Sequence, residues 1–429
     1  MRDIAAYAIE AMVKAGADKA ACKAASGRKD EFNVDAGKFS LLRTLYNDEL
    51  SLTAIKDSRK GTISVNKLDK DSINKAVEEC VALAASAAPD EAEDIAPLIE
   101  NKNFSRKVGG ADMDRLFSRS KELVEQAMDE FPGLSLDLYT EFNSGKTAYV
   151  NNNGVEFTDE VEYYMVRSLF TAKDGEDSSS FNYYGALTES LDTPFMNLGM
   201  QRTLFDESVR STKTRMVDEK FVGKIIVSPA CDYMMWNTLL DCFLGTASLV
   251  NGTSRWKDAL GALVTDKKFT FRAAPLHPDI VASERFTTDG FASTNTDLIR
   301  DGVLTSFALN LYGANKTGKP RAGNTGFNNI EVAAGDTSLA DMIKGVDKGI
   351  LINRFSGASP GPSGDISGVA KNSFLIENGQ VTDALSETML AFNVLDVLQN
   401  IPAISKEQCI NGMYVMPWCC FDGVTISGK

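Results

Sequence analysis

Histidine is the residue that this sequence most nearly lacks, since its 429 residues contain only one, His277. That residue lies between Pro275 and Pro278, in a segment whose prolines predict a turn. Zinc, serine and cysteine hydrolases almost all need at least one placed imidazole, because only this side chain has an unperturbed pKa near neutrality. A zinc site with two histidine ligands is therefore excluded by count. We interpret His277 as a turn residue rather than a catalytic base.

Positive charge and long apolar runs are also scarce. The chain has 45 Lys and Arg against 59 Asp and Glu, a net charge of −14, and we find no basic cluster of the kind that binds nucleic acid or anionic lipid. No segment approaches the ~20 apolar residues that a membrane-spanning helix needs. Glu10 and Lys14 interrupt the N-terminal amphipathic stretch, which is unlike a secretory signal. We expect a cytoplasmic protein whose seven cysteines stay in the thiol form.

Hydrophobic periodicity predicts an α+β fold. Helical spacing of apolar residues recurs at 4–15, 71–87 and 111–130, and alternating segments between these helices predict antiparallel strands. The acidic, proline-containing segment 88–97 predicts a linker. From residue 224 the chain is glycine-rich and strand-like, apart from predicted helices at 228–250 and 391–400.

These changes of character predict three domains. The first two are α+β, with antiparallel sheets and helices, and the third is mainly β with a few helices. The predicted boundaries are 1–97, 98–222 and 223–429.

Three motifs stand in a fixed order in the C-terminal half. They are Asp289-Gly290-Phe291-Ala292-Ser293 with Asp301-Gly302, then Arg354-Phe355-Ser356-Gly357 with Gly364-Asp365-Ile366-Ser367-Gly368 and Asn378-Gly379, then Asn393-Val394-Leu395-Asp396-Val397-Leu398. By themselves, Asp301-Gly302 and Asn378-Gly379 predict hairpin turns, because both residues of such a turn take positive φ. None of the motifs has the strand, glycine loop, lysine and helix order that binds phosphate.

In this order and spacing the motifs resemble those of the TldD/PmbA family, also described as modulators of DNA gyrase. The resemblance covers nearly the whole chain, although no single motif decides it. It implies a relation to metallopeptidases, whose catalytic TldD-type members carry an HExxxH helix. In that helix two histidines bind zinc and the glutamate is the general base, and a cysteine near the C-terminus is a third ligand.

The comparable helix of this sequence holds other residues. The ligand positions are occupied by Asp241 and Thr246 and the base position by Cys242, while Cys409 lies roughly where the third ligand would be sought. We therefore predict no catalytic residue and no metal in this chain, with the helix kept for packing. The residues expected to face the core are Met234, Met235, Leu239, Phe243 and Ala247.

Two other interpretations of this helix stay open at this point. Asp241, Cys242 and Cys409 would make an unorthodox metal site, because carboxylate and thiolate both bind zinc. Alternatively, Cys242 would be a peptidase nucleophile with His277 as its base.

The resemblance implies a PmbA-type (TldE-type) subunit without the zinc motif. Such a chain would pair with a TldD-like zinc-binding subunit that holds the only zinc, and the complex would act in proteolysis or maturation of small unfolded peptides. The alternative is a stand-alone homodimer that binds peptides or regulates without protease activity. Neither reading involves direct contact with nucleic acid or a membrane.

Overall fold

The structure is a computed structural model that describes residues 1–231, 233–325, 329–357, 360–386 and 388–428, and only the backbone of Tyr233 and Met234. Within these residues, helices pack on an eight-stranded and a twelve-stranded β-sheet. The predicted α+β class is confirmed. No helix in the described part of the chain combines the length and the apolar character needed to cross a membrane.

The first half of the chain contributes the smaller sheet and four α-helices. Its elements are α1 (Arg2–Lys14), β1 (Lys19–Asp35), β2 (Lys38–Lys56), β3 (Arg59–Val65), α2 (Lys70–Ser86), β4 (Lys102–Arg106), α3 (Met113–Glu130), β5 (Leu134–Asn151), β6 (Glu156–Asp174), β7 (Asp177–Ser178), β8 (Asn182–Thr188), a 3₁₀ turn (Phe195–Asn197), α4 (Gln201–Arg210) and β9 (Thr214–Arg215).

The second half contributes most of the larger sheet. Its elements are β10 (Phe221–Val227), α5 (Tyr233–Thr238), a π-helical turn (Leu239–Leu244), α6 (Thr246–Val250), β11 (Phe271–Ala273), β12 (Thr296–Arg300), β13 (Val303–Leu304), α7 (Leu311–Thr317), β14 (Ile330–Val332), α8 (Leu339–Lys344), β15 (Lys348–Gly357), β16 (Asp365–Glu377), β17 (Gln380–Leu385), β18 (Thr388–Asn393), α9 (Val394–Gln399), β19 (Ala403–Ile410) and β20 (Tyr414–Ser427).

The smaller sheet has the strand order β3-β2-β1-β5-β6-β4, with β7 and β8 also paired to β6. β1 pairs with β5 from Ala21 opposite Asn151 to Val34 opposite Leu138. The predicted boundary at 97 falls between α2 and β4, and this one sheet takes strands from both sides of it. The division into three domains stays a prediction.

Strands β1 and β2 form one long hairpin, whereas the segments 19–26, 31–34, 39–45 and 49–55 of the sequence predict four short strands joined by polar turns. The polar residues that suggested a break are paired inside the hairpin, since the Asp30 carboxylate accepts a hydrogen bond from the Thr44 hydroxyl at 2.6 Å and is ion-paired to Arg28. The hydrogen bond from Thr44 crosses from β2 to β1, the ion pair with Arg28 lies within β1, and together they offset the burial of the Asp30 carboxylate. The strands therefore continue through them without a turn.

One face of the smaller sheet is covered by helices. Ala20, Cys22 and Ala24 of β1 pack against α1 and α2, while Leu136 and Leu138 of β5 pack against α3 and α4. Because side chains alternate along a strand, the intervening residues of β1 and β5 point to the opposite face. That second face is turned toward the C-terminal half of the chain.

Segment 88–97, predicted as a linker, is a packed connection instead. Ala92, Ile95 and Ala96 are buried. The Asp90 carboxylate accepts hydrogen bonds from the Tyr312 hydroxyl at 3.1 Å and the Lys316 ammonium at 2.8 Å, both on α7. The segment thus fastens the first half of the chain to the second.

The packing of α2 on β3 leads to a stability prediction at Gly61. A β-carbon there would lie 2.2 Å from the Cys80 carbonyl oxygen and 2.5 Å from the Ala84 nitrogen, both backbone atoms of α2. We expect Gly61→Ala to displace the helix and lower the free energy of unfolding by about 1–3 kcal/mol. Thermal unfolding followed by circular dichroism measures this. Gly361→Ala is the matched control, because nothing lies within 4 Å of its added carbon, and equal midpoints for the two variants would contradict the prediction.

Candidate functional site

The helical segment after β10 is shorter and less regular than predicted. It begins at Tyr233 rather than at Ser228, widens into the π-helical turn and is broken at Gly245, whose backbone is extended with φ −80° and ψ 162°. Gly245 forms a β-bridge with Ala308. This tertiary contact draws the backbone out of the helix. Thr246 then starts α6, so a single continuous helix at 228–250 is not what the chain forms.

The break separates the positions that the resemblance aligns with a zinc site. Asp241 is exposed on the π-helical turn, whereas Thr246 follows the extended Gly245. The Thr246 hydroxyl accepts the backbone N–H of Asn310 at 3.2 Å and lies 3.2 Å from the Asn310 side-chain oxygen, which caps α7. Thr246 therefore serves to join α6 to α7.

The core-facing residues of this segment are mostly as predicted. Met235, Leu239 and Phe243 are buried in the main cluster of the larger sheet. Ala247 is exposed, so its prediction is wrong, because the break at Gly245 changes the phase of the helix. The side chain of Met234 lies outside the described residues.

Cys242 has the electrostatics of a packed thiol. Its Sγ donates to the Pro360 carbonyl oxygen at 3.3 Å. Burial, and then the charge of Asp241, raise the pKa of the Cys242 thiol, and burial raises the pKa of the Asp241 carboxyl. Nucleophilic and metal-binding cysteines need the thiolate, which is favoured by a lowered pKa. The environment of Cys242 raises the pKa of its thiol and so disfavours the thiolate.

Cys409 and His277 lie in other surroundings. Cys409 is buried on β19 in the cluster that packs under α3 and α4, and its Sγ is 3.3 Å from the Tyr184 hydroxyl. Cys242 packs against the separate main cluster of the larger sheet. His277 lies in the predicted turn, where its Nδ1 accepts the backbone N–H of Asp279 at 3.2 Å. The contacts of Cys409 with Tyr184 and of His277 with Asp279 both lie away from the π-helical turn.

These residues do not fit the zinc site of the catalytic members. Across the described ranges, no three His, Cys, Asp or Glu side chains are grouped so that they would hold a metal ion. A zinc site needs about three protein ligands in one place, and a threonine hydroxyl is not among the usual ones. We derive no chemical step through zinc in this chain.

A polar cleft, which the sequence did not predict, lies on the face of the smaller sheet opposite to α1–α4. Residues 282–288 run over this face and line a cavity of about 340 Å³. A second cavity, of about 400 Å³, adjoins it and shares Lys23 and Thr288 with it. The polar side chains of the first are Lys23, Thr147, Asp159, Tyr163, Ser283, Glu284, Arg285, Thr288 and Asn329. Those of the second include Glu49, Ser51, Thr53, Thr62, Ser64 and Tyr149.

Partial burial shifts several ionisable groups of this cleft toward their neutral forms. It raises the pKa of Asp159 and of Glu284, and it lowers the pKa of Arg285, with Arg106 as the next cause. Such groups, gathered in one concave place, are a common feature of binding sites. The cleft is therefore the best-formed candidate site of this chain.

A buried ion pair fixes the segment that closes the cleft. The Asp289 carboxylate receives two hydrogen bonds from the Arg321 guanidinium, at 2.8 and 3.0 Å, and one from the Leu311 N–H at 2.6 Å. The guanidinium also stacks on the Phe291 ring at 3.8 Å. The first sequence motif thus holds residues 282–291 against the smaller sheet, where Gly290 permits the close approach of Tyr149.

The outer edge of β2 is a second surface with binding potential. β3 pairs with β2 only from Leu50 to Lys56, and no other strand of the described chain lies along the edge from Lys38 to Glu49. The exposed apolar side chains of this stretch are Phe39, Leu41, Leu42, Leu45 and Tyr46. An uncovered edge of this kind is able to pair with a strand from another molecule.

Comparison with known proteins connects this fold to one family. The sequence model of the PmbA/TldA metallopeptidase C-terminal domain matches residues 222–428. The metalloprotease PmbA of Escherichia coli O157:H7 is 24% identical over 419 residues, covering 90% of each chain.

Two solved structures share the fold. The structure of TldE from Thermococcus kodakarensis superposes with a TM-score of 0.85, at 20% identity, over 99% of each chain. A candidate modulator of DNA gyrase from Bacteroides thetaiotaomicron gives a TM-score of 0.86, at 21% identity, over 100% of this chain and 98% of its own.

Proposed function

Because the chain belongs to the TldD/PmbA family, we propose that it is a non-catalytic, TldE-type subunit of a metallopeptidase complex. A TldD-like subunit would bind the zinc, and the complex would process small unfolded peptides, in the cytoplasm. This chain would supply interface and peptide-binding surface rather than chemistry.

The surroundings of the residues that the resemblance aligns with a zinc site support this proposal. The fold matches its structural relatives over essentially the whole chain, and the resemblance aligns Asp241, Cys242 and Thr246 with the zinc ligands and the general base. Cys242 has a raised pKa and Thr246 is engaged with Asn310. A supporting subunit needs the fold but not the zinc ligands, and this chain has that combination of features.

The two binding surfaces support the role of an assembly component. The open edge of β2 offers backbone N–H and C=O groups to an added strand, which recognises a peptide or partner by its main chain more than by its sequence. The apolar side chains along this edge supply the burial that a stable protein interface needs. The polar cleft, on a different part of the sheet, is the size of a small-ligand site.

The test compares the chain alone with the chain co-expressed with a TldD-like subunit from the same genome. We expect the chain alone to contain far less than one zinc per molecule and to leave an unfolded casein digest intact. The co-purified complex should cleave that digest in a chelator-sensitive way, as measured by mass spectrometry and metal analysis. Robust chelator-sensitive cleavage by the pure chain would overturn the proposal.

Two variants sharpen this experiment. Changing the glutamate of HExxxH to glutamine in the TldD-like subunit should abolish cleavage by the complex. Cys242→Ala in this chain should leave cleavage unchanged, and a complete loss would instead assign cysteine chemistry to Cys242.

The alternative, a homodimer without a protease partner, predicts a stable dimer of the chain alone in analytical ultracentrifugation, with no complex on co-expression.

A further inference from the structure

Two cationic side chains of the polar cleft are attracted by nearby carboxylates but are not hydrogen-bonded to any of them within the described chain. Lys23 projects from β1 and Arg285 from the segment that covers it, and both line the cavity of about 340 Å³. Neither side chain makes a hydrogen bond or ion pair with any residue that the structure describes, although each is partly shielded from solvent. The charges of Asp159 and Glu189 attract the partly buried Arg285 guanidinium, but its N–H donors lose hydration without gaining a hydrogen bond. The guanidinium is the kind of group that a bound anion would satisfy.

The same cavity contains acceptors that are also unsatisfied. One Asp159 carboxylate oxygen and the Ser283 hydroxyl oxygen are buried and accept or donate no hydrogen bond among the residues that the structure describes. Glu284 accepts from the Asn324 amide through one carboxylate oxygen at 2.8 Å. The cavity therefore presents cationic donors and carboxylate acceptors to one small ligand.

We propose that this cavity binds the carboxyl-terminal end of a short peptide. Arg285 and Lys23 pair with the terminal carboxylate, while Asp159 and Ser283 accept hydrogen bonds from the last backbone N–H groups. The inference rests on the proposed function, because it names the part of the peptide that this subunit holds.

The balance of charge favours a carboxylate over a phosphate. Two carboxyl groups, Asp159 and Glu284, share the cavity with the two cations, so the site has no surplus of positive charge. A doubly charged phosphate would lie beside both carboxyls, whereas a peptide end brings one negative charge together with N–H donors. An arginine is suited to this role because it pairs with a carboxylate through two parallel hydrogen bonds.

The test measures binding of a fluorescein-labelled tetrapeptide, Ala-Ser-Ala-Val, to the full chain by fluorescence polarisation. We expect the free-acid peptide to bind at least tenfold more tightly than its C-terminal amide. Arg285→Gln should remove most of that difference, and Lys23→Gln should reduce it. Lys267→Gln, at an exposed residue outside the cavity, is the matched control and should leave both affinities unchanged.

Three results would overturn the inference. The first is equal affinity for the free-acid peptide and its amide. The second is a preference for the free acid that remains in Arg285→Gln. The third is displacement of the peptide by sodium acetate at a concentration equal to the dissociation constant of the peptide. Circular dichroism of Arg285→Gln and Lys23→Gln confirms that a loss of binding is not a loss of fold. If the complex cleaves peptides but shows none of this end preference, the inference fails while the proposed function stands.

Discussion

Arg321→Met is expected to lower the free energy of unfolding by about 3–5 kcal/mol, since removing one partner leaves a buried charge uncompensated. Arg321 and Asp289 are only 15% and 14% exposed. Burial alone would raise the pKa of Asp289, but the hydrogen bond and charge of Arg321 hold that pKa below its usual value. Methionine keeps much of the side-chain volume of arginine. The loss of stability therefore measures the effect of removing the charge rather than the packing. Urea unfolding followed by tryptophan fluorescence gives the value.

Two further variants identify the cause of that loss. In Asp289→Asn/Arg321→Met neither charge remains, so part of the stability should return, because removing both partners costs less than removing one. Arg202→Met breaks an exposed ion pair with Glu130 and should have little effect. A loss for Arg321→Met no larger than for Arg202→Met would show that the pair does not hold the covering segment.

Glu207→Gln is expected to stabilise the protein at alkaline pH. Glu207 is 8% exposed on α4, and its carboxylate oxygen accepts the Asn353 amide of β15 at 2.7 Å. Burial is the main cause that raises the pKa of Glu207 to about 8, above the ordinary value of 4.5. The folded protein thus keeps this proton at a pH where the unfolded chain has released it.

The sign of the pH effect follows from proton binding. Between about pH 4.5 and pH 8 the folded state binds more protons than the unfolded state, so stability falls as pH rises. The total is at most about 5 kcal/mol, at 1.36 kcal/mol for each unit of pKa. Glutamine cannot ionise and retains an acceptor for Asn353.

Thermal midpoints at pH 5 and pH 8.5 measure this effect. The parent and Glu207→Gln should be similar at pH 5, and the variant should be clearly more stable at pH 8.5. Glu78→Gln, at an exposed position on α2, is the matched control and should follow the parent at both values. Parallel curves for the parent and Glu207→Gln would show that Glu207 is ionised in the fold.

Local patterns were sufficient to predict the turns and the fold class. Asn378 and Gly379 take φ of 50° and 75°, and Asp301 and Gly302 take 48° and 77°, as hairpin turns require. These conformations depend on the residues themselves, which tolerate positive φ. The predicted helix at 391–400 was less accurate, because 391–393 belong to β18 and α9 begins only at Val394.

Features that depend on distant parts of the chain could not be predicted in this way. The break at Gly245 is produced by its bridge to Ala308, and the apolar periodicity on either side gives no sign of it. The cleft depends on bringing Arg285 over Lys23. The alternation of β1 places Lys23 away from the helices. The sequence around Lys23 and around Arg285 gives no indication that the segment of Arg285 lies over Lys23.

The pairing of β1 with β5 also sets conditions for the synthesis of the chain. β1 leaves the ribosome with β2 and α2, whereas its other neighbour, which begins at Leu134, is translated only after α3. Until then one edge of β1 is unpaired on a nascent chain, and such edges associate with other strands. Slowing translation between codons 66 and 134 should therefore lower the yield of soluble protein, and chaperones that shield nascent strands should restore it.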